Sequence, residues 1–143
     1  MISPSAVIVN RRLLSDHGGF DETLPAAEDY DLWLRLTWRY EVGLVDESLV
    51  IKRGGHPDQL SRQWGLDRFR IRALVKLLEE PDLPRPYARA ARQTLAVKCA
   101  IYAQGCDKRG RQTEAARYRA LSRLAPGLAP WSCACPEAAA ASG

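Results

Sequence analysis

The chain has 143 residues, enough for one domain with a modest core. Its 46% apolar and 27% charged residues are ordinary for a soluble globular protein. The net charge of +4 is unevenly spread: residues 1–59 hold 6 basic and 10 acidic groups, residues 60–143 hold 15 and 7.

In chain order, Ser5 to Asn10 is a short β-branched apolar run and predicts a buried strand. Arg11 to His17 predicts one helical stretch, ended by Gly18-Gly19, since glycine takes the left-handed conformation without a Cβ penalty. Phe20 is expected to tuck back as an apolar anchor, and Asp21 to Pro25 to form a turn. Ala26 to Tyr40 predicts the clearest helix, with Leu32, Leu36 and Tyr40 four apart. Glu28, Asp29 and Asp31 fall in its first turn, where carboxylates suit the positive end of the macrodipole. Glu41 to Lys52 predicts a strand pair turning at Asp46-Glu47-Ser48, and Arg53 to Asp58 a loop.

Beyond that, three helices are predicted, over Leu60–Glu80, Tyr87–Gln104 and Arg111–Ala125, and Pro126 to Gly143 reads as a frayed tail. The expected fold class is therefore α/β, with a helical appendage. The expected divisions are 1–59, 60–125 and a disordered 126–143.

No apolar run approaches the roughly 18 residues of a membrane span. No secretory signal is visible at Met1-Ile2-Ser3-Pro4-Ser5, so a cytoplasmic location is the default. The basic half could meet phosphates or nucleic acid, but no helix-turn-helix glycine pattern, zinc finger or aromatic RNP-like string supports a nucleic-acid role. Cys99, Cys106, Cys133 and Cys135 lack zinc-site spacing and are expected as reduced thiols, Cys99 and Cys106 two turns apart on one side of a helix.

The most specific feature is Gly18-Gly19-Phe20-Asp21-Glu22, then Glu28-Asp29-Tyr30-Asp31-Leu32-Trp33-Leu34-Arg35. Five carboxylates fall between Asp21 and Asp31, immediately before an apolar helical run. On their own, Glu28 and Asp29 would read as helix capping. The extended string resembles the acceptor-side motif of family 2 glycosyltransferases of the GT-A type.

That resemblance implies a Rossmann-like GT-A domain of which this chain carries the C-terminal, acceptor-side portion. It implies Asp29 as general base on an acceptor hydroxyl, with Glu28 orienting it or touching the acceptor. Asp31 and Trp33 are candidates for acceptor contact, although Trp33 also suits a core and Arg35 could pair with Asp31 at i, i+4. Lys52 to Arg62 resembles the family loop that places a His near the metal and diphosphate. It suggests His56 at the metal, with Arg53 and Arg62 as diphosphate donors.

The complete enzyme is expected to use a nucleotide-sugar, a hydroxyl acceptor and Mg²⁺ or Mn²⁺. The family's metal-holding Asp-x-Asp half is not seen, because Asp29-Tyr30-Asp31 belongs to the acceptor motif. The expectation is a truncated or split gene product, inactive alone, with a separate N-terminal half as a candidate partner. The alternative is a helical interaction module with a vestigial motif.

Overall fold

In the computed structural model, residues 2–51 and 64–124 are described, and they hold helices and connecting segments only. A 3₁₀ turn over Pro4–Ala6 precedes α1 (Arg11–Asp16) and α2 (Glu28–Thr37). Then come α3 (Asp67–Leu78), α4 (Arg85–Asp107) and α5 (Gln112–Leu124). The helices pack in sequence, α2 on α3, α3 on α4 and α4 on α5.

The expected α/β class is thus corrected to all-helical among the described residues. The expected strand at 5–10 begins inside the 3₁₀ turn and continues as extended, unpaired backbone. The expected strand pair at 41–52 forms no ladder over residues 41–51; Lys52 lies outside the described residues. Its apolar side chains face outward, with Leu44 87% and Ile51 88% exposed. The cause is general: a helix closes its own backbone hydrogen bonds, whereas a strand needs a neighbouring edge to close them. A β-branched run shows the tendency but cannot supply the edge.

Phe20 does not tuck in and is 47% exposed; Leu24 and Ala26, a few residues on, are buried instead. Residue Ala27 has φ +63°, in the left-handed region, so α2 starts at Glu28, two positions later than expected. This helix is covered on two sides. Leu32 and Leu36 are buried on one, and Tyr30, Leu34 and Trp38 pack on the main core from the other.

That core consists of Ile71, Leu74 and Leu77 from α3 with Ala91, Leu95, Cys99, Tyr102, Ala103 and Cys106 from α4 and Ala115 from α5. Each fully buried leucine contributes about 1.5–3 kcal/mol relative to exposure. The two thiols sit on the buried side of α4, unpaired; burial pushes Cys99 up to about 12, so it stays protonated and unreactive. Cys133 and Cys135, with the tail 126–143, lie outside the described residues.

The turn expected at Gly105 begins later, because α4 runs on to Asp107. Gly105 is needed inside the helix: a Cβ there would come within 3.0 Å of Trp64 Nε1. The Trp64 ring stacks on Tyr102 at 5.5 Å, with the guanidinium of Arg109 4.4 Å from its centroid. This fastens the start of the helical part onto α4. The chain reverses at Gly110, whose φ of +70° suits glycine, and Arg111 N–H closes the turn on Cys106 O.

Candidate active site

The Gly-Gly turn is built by backbone conformation and then clasped by side chains. Gly18 and Gly19 both have left-handed φ, +77° and +61°, with no atom near a would-be Cβ, so it is the backbone angle that calls for glycine. Arg35, one turn beyond Asp31 on α2, reaches back to this turn. Its Nε donates to Asp31 Oδ2 at 2.9 Å, and its two terminal nitrogens donate to the carbonyls of His17 and Gly19. Of the alternatives open for Arg35, the i, i+4 pairing with Asp31 is the one present.

From α3, Lys76 Nζ lies 2.6 Å from Asp21 Oδ2 and 2.8 Å from Asp31 Oδ1. The contact with Asp31 is off the direction of an aligned hydrogen bond, so it acts as an ion pair. Asp21 also accepts from Thr23 N–H at 2.9 Å and Thr23 Oγ1 at 2.6 Å. Burial pushes the Asp21 carboxyl up, but the bonds from Lys76 and Thr23 outweigh it and hold the group well below the usual carboxylate range. Two carboxylates of the motif, Asp21 and Asp31, are thus committed to holding the turn, α2 and α3 together. Asp31 is 1% exposed, so in this arrangement it has no face to offer an acceptor.

Asp29 is placed differently. It stands in the first turn of α2, where its Oδ1 accepts from the N–H of Tyr30 at 2.7 Å. Among the described residues no cation pairs with Asp29 or Glu28. Asp29 lines a mostly apolar cleft of about 360 Å³ with Tyr30, Trp33, Leu34 and Thr37 of α2 and Ile2 from the N-terminus. Arg70 from α3 and Lys98 from α4 complete it. The Trp33 ring forms part of the wall, and its Nε1 is buried without a hydrogen-bond partner. Burial raises the Tyr30 phenol above its ordinary value, against a lowering effect from the neighbouring Arg70. Glu28 is half-buried and does not line the cleft.

Arg53, His56 and Arg62 lie outside the described residues. Among the described ones, no three His, Cys, Asp or Glu side chains converge to hold a metal. The sequence reading missed Lys76, Arg70 and Lys98. Each sits on a basic helix face where nothing local separates it from the neighbouring arginines.

The comparisons bear on the part of the chain that carries this geometry. Residues 1–69 match the sequence profile of the family described as glycosyltransferase like family 2. Over these residues the chain is similar to that family. Within the glycosyltransferase-like segment fall Glu28, Asp29, Asp31 and Trp33; Arg70, Lys76 and Lys98 lie beyond it.

An uncharacterized protein of Mycobacterium tuberculosis (strain CDC 1551 / Oshkosh) is 34% identical over 93 residues, covering 62% of this chain. The chain spans 28% of that protein's length. No solved structure matches significantly. Among the described residues no helix is long and apolar enough to cross a membrane.

Proposed function

We propose that this chain is the acceptor-side part of a glycosyltransferase that moves a sugar from a nucleotide-sugar to a hydroxyl acceptor. The observation that carries the reading is the contrast between two carboxylates of one motif. Asp31 is buried between Arg35 and Lys76, while Asp29 lines the cleft with no cation among the described residues to neutralise it.

The chemistry follows from that placement. A carboxylate at a helix N-terminus is favoured in its ionised form by the macrodipole and is held rigidly. Asp29 takes the proton from the acceptor hydroxyl as its oxygen attacks the anomeric carbon. The bond from that carbon to the nucleotide diphosphate breaks, and the diphosphate leaves with the electron pair. Glu28, next to Asp29 but outside the cleft lining, is assigned to orienting Asp29 rather than touching the acceptor.

His56, Arg53 and Arg62 are proposed to face the diphosphate and a divalent Mg²⁺ or Mn²⁺. No step assigned to the described residues runs through that metal. The nucleotide is proposed to be bound by a further half, in the same polypeptide or a separate one. Support comes from residues 41–51, where Val42, Leu44, Val45, Leu49 and Ile51 are exposed, an apolar stretch that the described residues leave uncovered.

The test is complementation. The purified 143-residue chain should turn over no UDP-, GDP- or dTDP-sugar alone. Adding a nucleotide-binding half, encoded upstream or expressed separately, should produce transfer. Turnover by the chain alone would sink the two-part reading.

A further inference from the structure

The cleft beside Asp29 is not made by the family segment alone. Part of its lining comes from α3 and α4, beyond residue 69, through Arg70 and Lys98. Both cations donate to one and the same oxygen, Asp67 Oδ1, each at 3.0 Å. Asp67 cannot by itself neutralise both cations, and the other charged group lining the cleft is Asp29, which pairs with neither, so the charges are separated across the cleft. The two basic side chains are only 27% and 26% exposed, so water and salt screen their charge less than they would on an open surface. Donors are also left over. An ammonium carries three N–H groups and a guanidinium five, and Asp67 takes one from each. Trp33 and Leu34 line the same cleft and give it an apolar surface suited to the C–H face of a sugar ring.

Resting on the assignment of Asp29 as base, we infer that the acceptor is an anionic sugar, its hydroxyl at Asp29 and its carboxylate or phosphate held by Arg70 and Lys98. The charges also fix its orientation. With the anion turned toward Asp29, two like charges would meet and the cations would lose their partner, so one pose is favoured. The helices after the family segment would then select the acceptor, while the segment itself supplies the base.

The test is a ¹H–¹⁵N NMR titration of the purified chain with methyl β-D-glucoside, methyl β-D-glucuronide and glucose 6-phosphate, following the Trp33 indole N–H. At least one anionic sugar should bind about 10-fold or more tighter than the neutral glucoside, the usual scale of a charge-assisted contact. Whichever anionic sugar binds more tightly identifies carboxylate or phosphate as the group recognised. The preference should shrink as salt rises from about 0.05 M to about 0.5 M.

Arg70→Gln with Lys98→Gln should abolish the preference for an anionic over a neutral sugar and leave helical content unchanged. Should the double variant lose helicity, the single changes Lys98→Gln and Arg70→Lys are read instead. Lys98→Gln should weaken the preference, and Arg70→Lys should retain most of it. Equal affinity for neutral and anionic sugars, no binding of either anion, or a preference that survives the change at Arg70 and Lys98 would overturn the inference. Asp29→Asn should keep the preference whatever it does to transfer. Failure of the base assignment is thereby separable from failure of this one.

Discussion

Residues 41–51 and helix α4 are both rich in apolar side chains, yet they end up on opposite sides of the solvent boundary. On α4, Leu95, Cys99 and Cys106 are 0% exposed; over residues 41–51, Leu44 is 87% and Val42 64% exposed. Hydrophobicity is not the difference. A helix arrives with its backbone satisfied and needs only a complementary stripe, which α3 and α5 provide. An extended segment needs an edge to pair with, and the described residues hold none. The helical part is therefore self-sufficient, whereas the family segment holds its turn by charges and leaves its β-prone stretch uncovered.

The sharpest way to break that contrast is a pair of truncations read by chemical denaturation. Leu95→Ala should cost about 3–5 kcal/mol, because it opens a cavity in a packed core. Leu44→Ala should stay within about 0.5 kcal/mol in the chain alone, as for a surface change. A large loss at Leu44 would mean that this segment is covered in solution.

A smaller effect is expected at the clasp. Removing one partner of a buried ion pair costs about 3–5 kcal/mol when a buried charge is stranded. Here Lys76 is a third exposed and keeps Asp21, and Arg35 keeps two carbonyls. Asp31→Asn should therefore cost about 2 kcal/mol, below the range for a fully stranded buried charge. No change in the unfolding midpoint would show the clasp to be dispensable.

The smallest effect is on acid sensitivity. Asp21 has its carboxyl held down in the folded state, so its contribution is present above the unfolded value of about 3.9 and fades as pH falls below it. Asp21→Asn should be less stable than the parent near neutrality, and the gap should narrow below about pH 4. A gap that stays constant with pH would remove the charge from the account.

Much of this was legible in the sequence, and what was not has a common cause. α3, α4 and α5 follow from apolar spacing, and the Arg35–Asp31 pair from i, i+4 proximity, because both are local rules. The strands were misread at 5–10 and 41–51 because β-branched residues report a preference, whereas a ladder is made by a partner remote in sequence. The outward turn of Phe20 was likewise unreadable, since Leu24 and Ala26 take the buried places beside it. Lys76 and Arg70 could not be singled out among the arginines and lysines of α3, because their partners Asp21 and Asp31, and the cleft at Asp29, come from elsewhere in the chain.

The central claim is that neighbouring carboxylates of one motif have separate duties, Asp29 in chemistry and Asp31 in structure. The most direct measurement is the transfer rate and unfolding midpoint of Asp29→Asn and Asp31→Asn, each combined with the nucleotide-binding half. Asp29→Asn should lower kcat by roughly 10²–10⁴-fold, the usual worth of general base catalysis, and leave the midpoint in place. Asp31→Asn should lower the midpoint and affect the rate far less at temperatures where the variant is folded. Equal losses of rate in the two variants, or an unchanged rate for Asp29→Asn, would contradict the division.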